Sequence, residues 1–136
     1  MVEIGARIIL DHPLTGVGPN MIPRVYDQYR PDYAVNATNP HLHNVPLQIG
    51  AERGVAALLL WIWFIAALTL AHLRLFRTLP DRVSAAAGLA AVAGMLAAGL
   101  FEYNFGDSEF LMLFLVLVTL PFAAARGDSA AATARP

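Results

Sequence analysis

The chain has 136 residues, a net charge of −1, 57% hydrophobic residues and only 14% charged residues. A soluble domain normally carries about a quarter of charged residues, so the composition excludes an ordinary soluble domain and indicates a membrane protein. The net charge of −1 gives no indication of nucleic-acid binding, and the absence of cysteine excludes disulfides and thiolate metal sites. The N-terminus lacks the basic and apolar regions of a signal peptide.

The first forty residues predict short helices separated by turns. Residues 2–10 have the pattern of a helix end, which Asp11-His12-Pro13 terminates because the residue before a proline disfavours helical dihedrals. Residues 14–19 form a turn whose glycines permit positive φ, and apolar residues at helical spacing predict an amphipathic helix over 23–30. Residues 31–40 have an irregular, polar pattern.

Three apolar stretches follow, each close to the ~20 residues that span a bilayer. They cover residues 54–73, 83–101 and 110–125, and the first helix is predicted to begin near Pro46. The sequence therefore predicts an all-α integral membrane protein, with three transmembrane helices preceded by a partly helical periplasmic segment. The predicted regions are a periplasmic segment 1–50, a three-span region 51–125 and a disordered cytoplasmic tail 126–136.

Basic residues set the predicted orientation. Arg74, Arg77 and Arg82 lie between the first two spans, whereas residues 102–109 contain three acids and no basic residue. The positive-inside rule places the arginine loop in the cytoplasm and residues 1–50 outside. For a bacterial protein this means the inner membrane, with the N-terminal segment in the periplasm.

His43 and Asn44, placed immediately before the first span, are the main candidates for chemistry. An imidazole at the membrane surface can exchange a proton with a lipid-linked substrate, and the alternative is that it merely caps the helix or contacts headgroups. Asn44, Gln48 and Glu52 are four residues apart and form one polar stripe, which faces either a ligand, protein or water. Arginines on the same side could bind a diphosphate, namely Arg24, Arg30 and Arg53.

Other polar residues have simpler interpretations. Gly16-Val17-Gly18 is a structural turn because it lacks the third glycine of a dinucleotide site. His12, His41 and His43 match no zinc spacing, so no metal is predicted. His72 is predicted to be interfacial, and the acids Asp107 and Glu109 to cap the following helix.

Several motifs together resemble the C-terminal part of the O-antigen ligase and polymerase superfamily. In that family a histidine followed by Asn, Ser or Gln, nine residues and a glycine marks the end of the large periplasmic loop; here His43, Asn44 and Gly54 have this spacing. The position three residues after the glycine is Ala57, where the family often has Gly, Thr or Tyr. The turn 12–19 and residues 101–109 are also similar to the family.

The resemblance implies an inverting, metal-independent glycosyltransferase without cofactors. It would transfer a glycan from an undecaprenyl-diphosphate donor to an acceptor hydroxyl on lipid A-core, protein or a growing glycan, with His43 as the catalytic residue. Asn44, Gln48, Glu52, Arg24 and Arg30 are the predicted substrate-binding residues. Family members have about a dozen spans, so the chain is expected to be a fragment of such a ligase that is inactive in isolation. The alternatives are a polysaccharide polymerase or a non-catalytic membrane remnant.

Overall fold

A computed structural model describes residues 1–34, 36, 38–79 and 82–133. The regular elements in this part of the chain are helical, which confirms the all-α prediction. In chain order they are α1 (Val2–Asp11), α2 (Ile22–Tyr29), α3 (Val45–Thr78), α4 (Arg82–Gly99), a 3-10 turn (Asn104–Gly106) and α5 (Ser108–Thr133).

The N-terminal segment has a small apolar core of its own. Ile4 and Ile8, one helical turn apart on α1, pack with Ile22 and Tyr26 of α2 and with Leu42 of the following loop. Both helices fall where the sequence predicted them, within one or two residues. This core attaches the segment to the first turns of α3, which α1 contacts directly.

A break in α3 at Gly54 receives the turn that links α1 and α2. Gly54 has φ 80° and ψ 173°, a conformation that interrupts the helix and is essentially restricted to glycine. The carbonyls of Ala51 and Glu52 accept hydrogen bonds from Val17 (2.9 Å) and Gly18 (3.0 Å) in the turn. The predicted glycine turn thus docks on the helix break through backbone hydrogen bonds.

Three helices are long and apolar enough to cross a membrane: Val45–Thr78, Arg82–Gly99 and Ser108–Gly127. The chain is a multi-pass membrane protein. α4 packs against both α3 and α5 around a second apolar core that comprises Ile65, Val92, Met95, Phe114 and Val118. Small residues on α4 permit close helix packing, as at the buried Ala85 and Gly88. The connectivity brings the start of α3 and the end of α4 to the same end of the bundle.

Two expectations differ from the structure. His72 is fully buried instead of interfacial, because it faces Gly88 of α4, where a Cβ would lie 2.2 Å from its ring. α5 continues beyond residue 125 to Thr133, where a disordered tail was predicted; three of the eight residues 126–133 are alanine, which has the highest helix propensity. Residues 134–136 of the predicted tail lie outside the described residues.

Candidate functional site

The candidate site is built on the loop His41-Leu42-His43, which Leu42 anchors in the protein. The Leu42 side chain is fully buried in the N-terminal core. Its backbone N–H donates to Oε1 of the buried Gln48 at 2.7 Å. Leu42 is thus held in the N-terminal core, and the rings of its two neighbours, His41 and His43, lie together with their centroids 4.2 Å apart.

Asn44 fixes the junction between this loop and α3. It is the N-cap of the helix, and its Oδ1 accepts a hydrogen bond from the N–H of Leu47 at 3.0 Å. Its Nδ2 donates to the carbonyl of Leu100 at 3.1 Å, which joins the start of α3 to the end of α4. The Asn44 amide therefore positions the residue before it against the loop that follows α4.

His43 pairs with a carboxylate that is distant in sequence. Its Nδ1 lies 3.1 Å and 3.2 Å from the two carboxylate oxygens of Glu102. Its Nε2 lies 3.4 Å from Oδ1 of Asn39, a residue that is almost fully buried. The backbone of His43 has φ 50°, in the left-handed region that is uncommon for a non-glycine residue. Such a conformation is held only by its surroundings and is frequent at functional sites.

The Glu102 carboxylate is itself held in place. The backbone N–H of Tyr103 donates to its Oε1 at 3.0 Å. This hydrogen bond and the one from His43 lower the pKa of Glu102 below its usual value, because both favour the charged form. Glu102 is therefore an ionised acceptor at neutral pH, so Nδ1 of His43 must carry the proton that joins the two groups.

His41 completes a compact polar cluster. Its ring centroid lies 4.2 Å from that of His43, and its Nδ1 lies 3.5 Å from Oε1 of Glu102. Burial, and then the neighbouring His43, lower the pKa of His41, and Glu102 opposes this shift. The Nδ1 atom is buried and has no hydrogen-bond partner among the described residues. We refer to His41, His43 and Glu102 as the histidine–glutamate cluster.

A cavity of about 500 Å³ is connected to the cluster through Tyr103, whose ring centroid lies 6.2 Å from that of His41. Tyr103, which binds Glu102 through its backbone, lines it, and so does Arg53 just before the break in α3. Asn20 and the aromatic rings of Trp61 and Phe105 also lie on its wall. A cavity with a cation, an amide and aromatic faces is suited to a sugar that carries a phosphate.

The predicted polar stripe faces protein instead of water or a ligand. Gln48 and Glu52 are 2% and 1% exposed, respectively. Gln48 holds the Leu42 loop, and Oε2 of Glu52 lies 3.3 Å from Nη1 of Arg53. The substrate-binding roles predicted for these residues therefore remain predictions, and the contacts that they make in the structure are to protein.

The arginines are not gathered around His43. Nε of Arg30 donates to Asp27 on α2, and Arg24 is exposed on the same helix. Within the described part of the chain, the hydrogen bonds and ion pairs of His43 involve Asn39 and Glu102 and no arginine. Arg53 is the arginine that lines the cavity.

The sequence did not identify Glu102 and Asn39 as partners of His43, and His41 was considered beside His43 only as a metal ligand, for which the spacing gave no support. Glu102 follows His43 by 59 residues, and no periodicity links positions so far apart. One available signal was that residues 101–109 resemble a family turn predicted to lie on the same side of the membrane. Of the two acids predicted to cap α5, Asp107 does so, since its Oδ1 accepts from Glu109 N at 2.9 Å.

The comparisons with known proteins agree with the resemblance seen in the sequence. A family model described as O-antigen ligase matches residues 1–62. The match contains α1, α2, His43 and the glycine break of α3. No curated protein and no solved structure matches the chain.

Proposed function

We propose that this membrane protein takes part in transfer of a glycan from an undecaprenyl-diphosphate donor to an acceptor hydroxyl, as the match of residues 1–62 to the O-antigen ligase family model suggests. The observation that carries the proposal is the pairing of His43 Nδ1 with Glu102 at 3.1 Å, near a cavity that Arg53 lines. Lipid A-core, a protein or a growing glycan would provide the hydroxyl. The chemistry would take place on the periplasmic side of the bacterial inner membrane.

His43 acts in this proposal as the general base. When Nδ1–H donates to Glu102, Nε2 is left without a proton and can accept one. The acceptor hydroxyl gives its proton to Nε2 as its oxygen bonds to the anomeric carbon of the donor sugar. The bond between that carbon and the diphosphate oxygen breaks, and the diphosphate leaves with the electron pair.

Glu102 stabilises the imidazolium that this step creates. A carboxylate on the far nitrogen orients the ring and lowers the energy of its charged form, as in catalytic triads. Asn39 Oδ1, 3.4 Å from Nε2, is placed to accept a hydrogen bond from the newly protonated nitrogen. Arg53 on the cavity wall would neutralise charge on the departing diphosphate.

The test is the transfer rate of His43→Ala in the natural protein, with a lipid-diphosphate glycan donor and a hydroxyl acceptor. Loss of a general base costs about 10²–10⁴-fold in rate. His12→Ala is the matched control, because His12 is exposed at the end of α1 and should leave the rate unchanged. An unchanged rate in His43→Ala at equal membrane levels would remove His43 from the mechanism.

A further inference from the structure

We infer that His41, His43 and Glu102 form a binding site for a divalent transition-metal ion of the Zn²⁺ class, and that the bound ion blocks His43. The three side chains offer two imidazole nitrogens and one carboxylate oxygen, which lie within 4.8 Å of one another. Two histidines and a carboxylate are a common ligand set for zinc and related metals, with further positions open to water. The inhibitory part of the proposal rests on the proposed role of His43 as a base.

The two distances to the shared carboxylate oxygen are close to those around a tetrahedral ion. Zinc binds nitrogen and oxygen ligands at about 2.0–2.2 Å, so two ligands of a tetrahedral ion lie about 3.3–3.6 Å apart. Oε1 of Glu102 lies 3.1 Å from Nδ1 of His43 and 3.5 Å from Nδ1 of His41. Both histidines thus present the same ring nitrogen to one carboxylate oxygen at nearly the spacing that coordination requires.

The unpartnered nitrogen of His41 independently indicates a ligand. His41 Nδ1 is buried and makes no hydrogen bond with the described residues. A buried nitrogen without a partner is energetically unfavourable, so it normally has a protein, water or ion partner. A metal held between His41 and Glu102 would satisfy it.

The cluster is rigid enough to bind without refolding. Leu42 is buried between the two histidines and hydrogen-bonded to Gln48, and Asn44 is tied to both α3 and the end of α4. Glu102 is fixed by the N–H of Tyr103. Asn39 Oδ1 lies 3.4 Å from Nε2 of His43, where it could accept a hydrogen bond from the far nitrogen of a metal-bound ring and so orient that ring.

Metal binding through Nδ1 would take His43 out of the transfer reaction. The ion would replace the Nδ1 proton that Glu102 now accepts. A neutral imidazole bound to metal through Nδ1 carries its proton on Nε2, so Nε2 can no longer accept one from a substrate. The ion would therefore act as a reversible inhibitor instead of a cofactor.

The test is a Co²⁺ titration of the whole chain, purified without a polyhistidine tag and placed in lipid nanodiscs. Co²⁺ reports its ligand field by visible absorption. We expect one ion per chain at micromolar concentration, displaced by Zn²⁺, and affinity at least tenfold weaker in His41→Ala and in Glu102→Gln. His12→Ala is the control and should bind normally. Binding only at millimolar Co²⁺, or binding unchanged in both variants while helical content is preserved, would overturn the proposed site.

An activity measurement separates this inference from the proposed function. In the natural protein, Zn²⁺ should inhibit glycan transfer, and in His41→Ala a Zn²⁺ concentration at least tenfold higher should be needed to halve the rate that this variant shows without metal. Transfer that is insensitive to Zn²⁺ would overturn the inhibitory role. Absence of transfer in the unaltered protein, together with Co²⁺ binding that depends on His41, would contradict the proposed function and leave the metal site standing.

Discussion

His43 and His72 lie near opposite ends of the first spanning helix, and their surroundings differ in kind. His43 has a carboxylate on Nδ1, lies beside a cavity and is partly exposed. His72 is fully buried, with its ring nitrogens 2.8 Å and 3.1 Å from the carbonyls of Leu68 and Val118. His43 is 39% exposed at its side chain, whereas His72 is enclosed by three helices. The same residue type is thus accessible, in the role that we propose for it, at one end and serves packing at the other.

Glycine makes both arrangements possible in different ways. Gly54 breaks α3, so that backbone carbonyls near the start of α3 become free to bind the turn after α1. Gly88 lies within a continuous helix and leaves room for the His72 ring. The His43 end is thus joined by backbone hydrogen bonds between the turn and α3, and the His72 end by close side-chain packing.

The largest effect is expected from Gly54→Ala, which should disrupt the docking of the turn after α1 on the break in α3. A Cβ at this position would lie 2.2 Å from the carbonyl oxygen of Leu14, on a backbone with φ 80°. Backbone strain and steric overlap together should lower the free energy of unfolding by about 3 kcal/mol or more. Thermal unfolding in detergent, followed by circular dichroism, measures this loss.

Gly94→Ala is the matched control for that experiment. Gly94 lies on α4, and an added Cβ would meet no atom within 4 Å. Alanine is favoured over glycine in a helix by roughly 0.5–1 kcal/mol, so this variant should be as stable as the unaltered protein or slightly more stable. Equal melting of the two variants would contradict the docking of the turn on the helix break.

A double-mutant cycle between Gly88 and His72 tests the packing of α3 against α4 around the His72 ring. In Gly88→Ala the new Cβ would lie 2.2 Å from Cδ2 of His72, so the variant should be destabilised by about 1–3 kcal/mol. In a His72→Ala background that overlap disappears, and the same substitution should cost less. We expect a coupling free energy of about 1 kcal/mol or more from the unfolding curves of the unaltered protein, the two single variants and the double variant. Strictly additive losses would show that the two residues do not form the contact described.

A smaller effect is expected from Asn44→Ala at the start of α3. The variant loses the N-cap hydrogen bond to Leu47 and the hydrogen bond to the carbonyl of Leu100. Loss of an N-cap typically costs about 1 kcal/mol in free energy of unfolding. Asn44→Asp keeps the cap acceptor and should recover part of that loss. If the aspartate were no more stable than the alanine, the cap would not be the source of the effect.

The sequence was sufficient to predict the helices but not the contacts between them. Apolar length and periodicity located α1, α2 and the three spans to within a few residues, and proline and asparagine marked the start of α3. The polar stripe Gln48–Glu52 was recognised, but its burial depends on the N-terminal segment that covers it. The helical stretch after residue 125 has the polar, small composition of a tail as well as the alanines of a helix.

Of the histidine–glutamate cluster, the sequence predicted a catalytic role for His43 alone. His43 was identified by its position before a span and by a family motif. Its partner Glu102 comes from the loop after α4, and the pairing depends on how α3 and α4 align, which hydropathy does not specify. The burial of His72 depends similarly on helix rotation. Tertiary pairing, and not local propensity, distinguishes the surroundings of His43 from those of His72.

The pairing of His43 with Glu102 is tested most directly by the transfer rate of Glu102→Gln in the natural protein. Glutamine keeps the size of the side chain and a hydrogen-bond acceptor for Nδ1, but it removes the negative charge that stabilises an imidazolium. Glu102 is more than half exposed, so the fold and membrane level should be unaffected. We predict that the rate falls by about 10²-fold or more, which is comparable to the effect of losing an acid–base group. A rate equal to that of the unaltered protein would show that the carboxylate does not assist His43 and would contradict this account of the site.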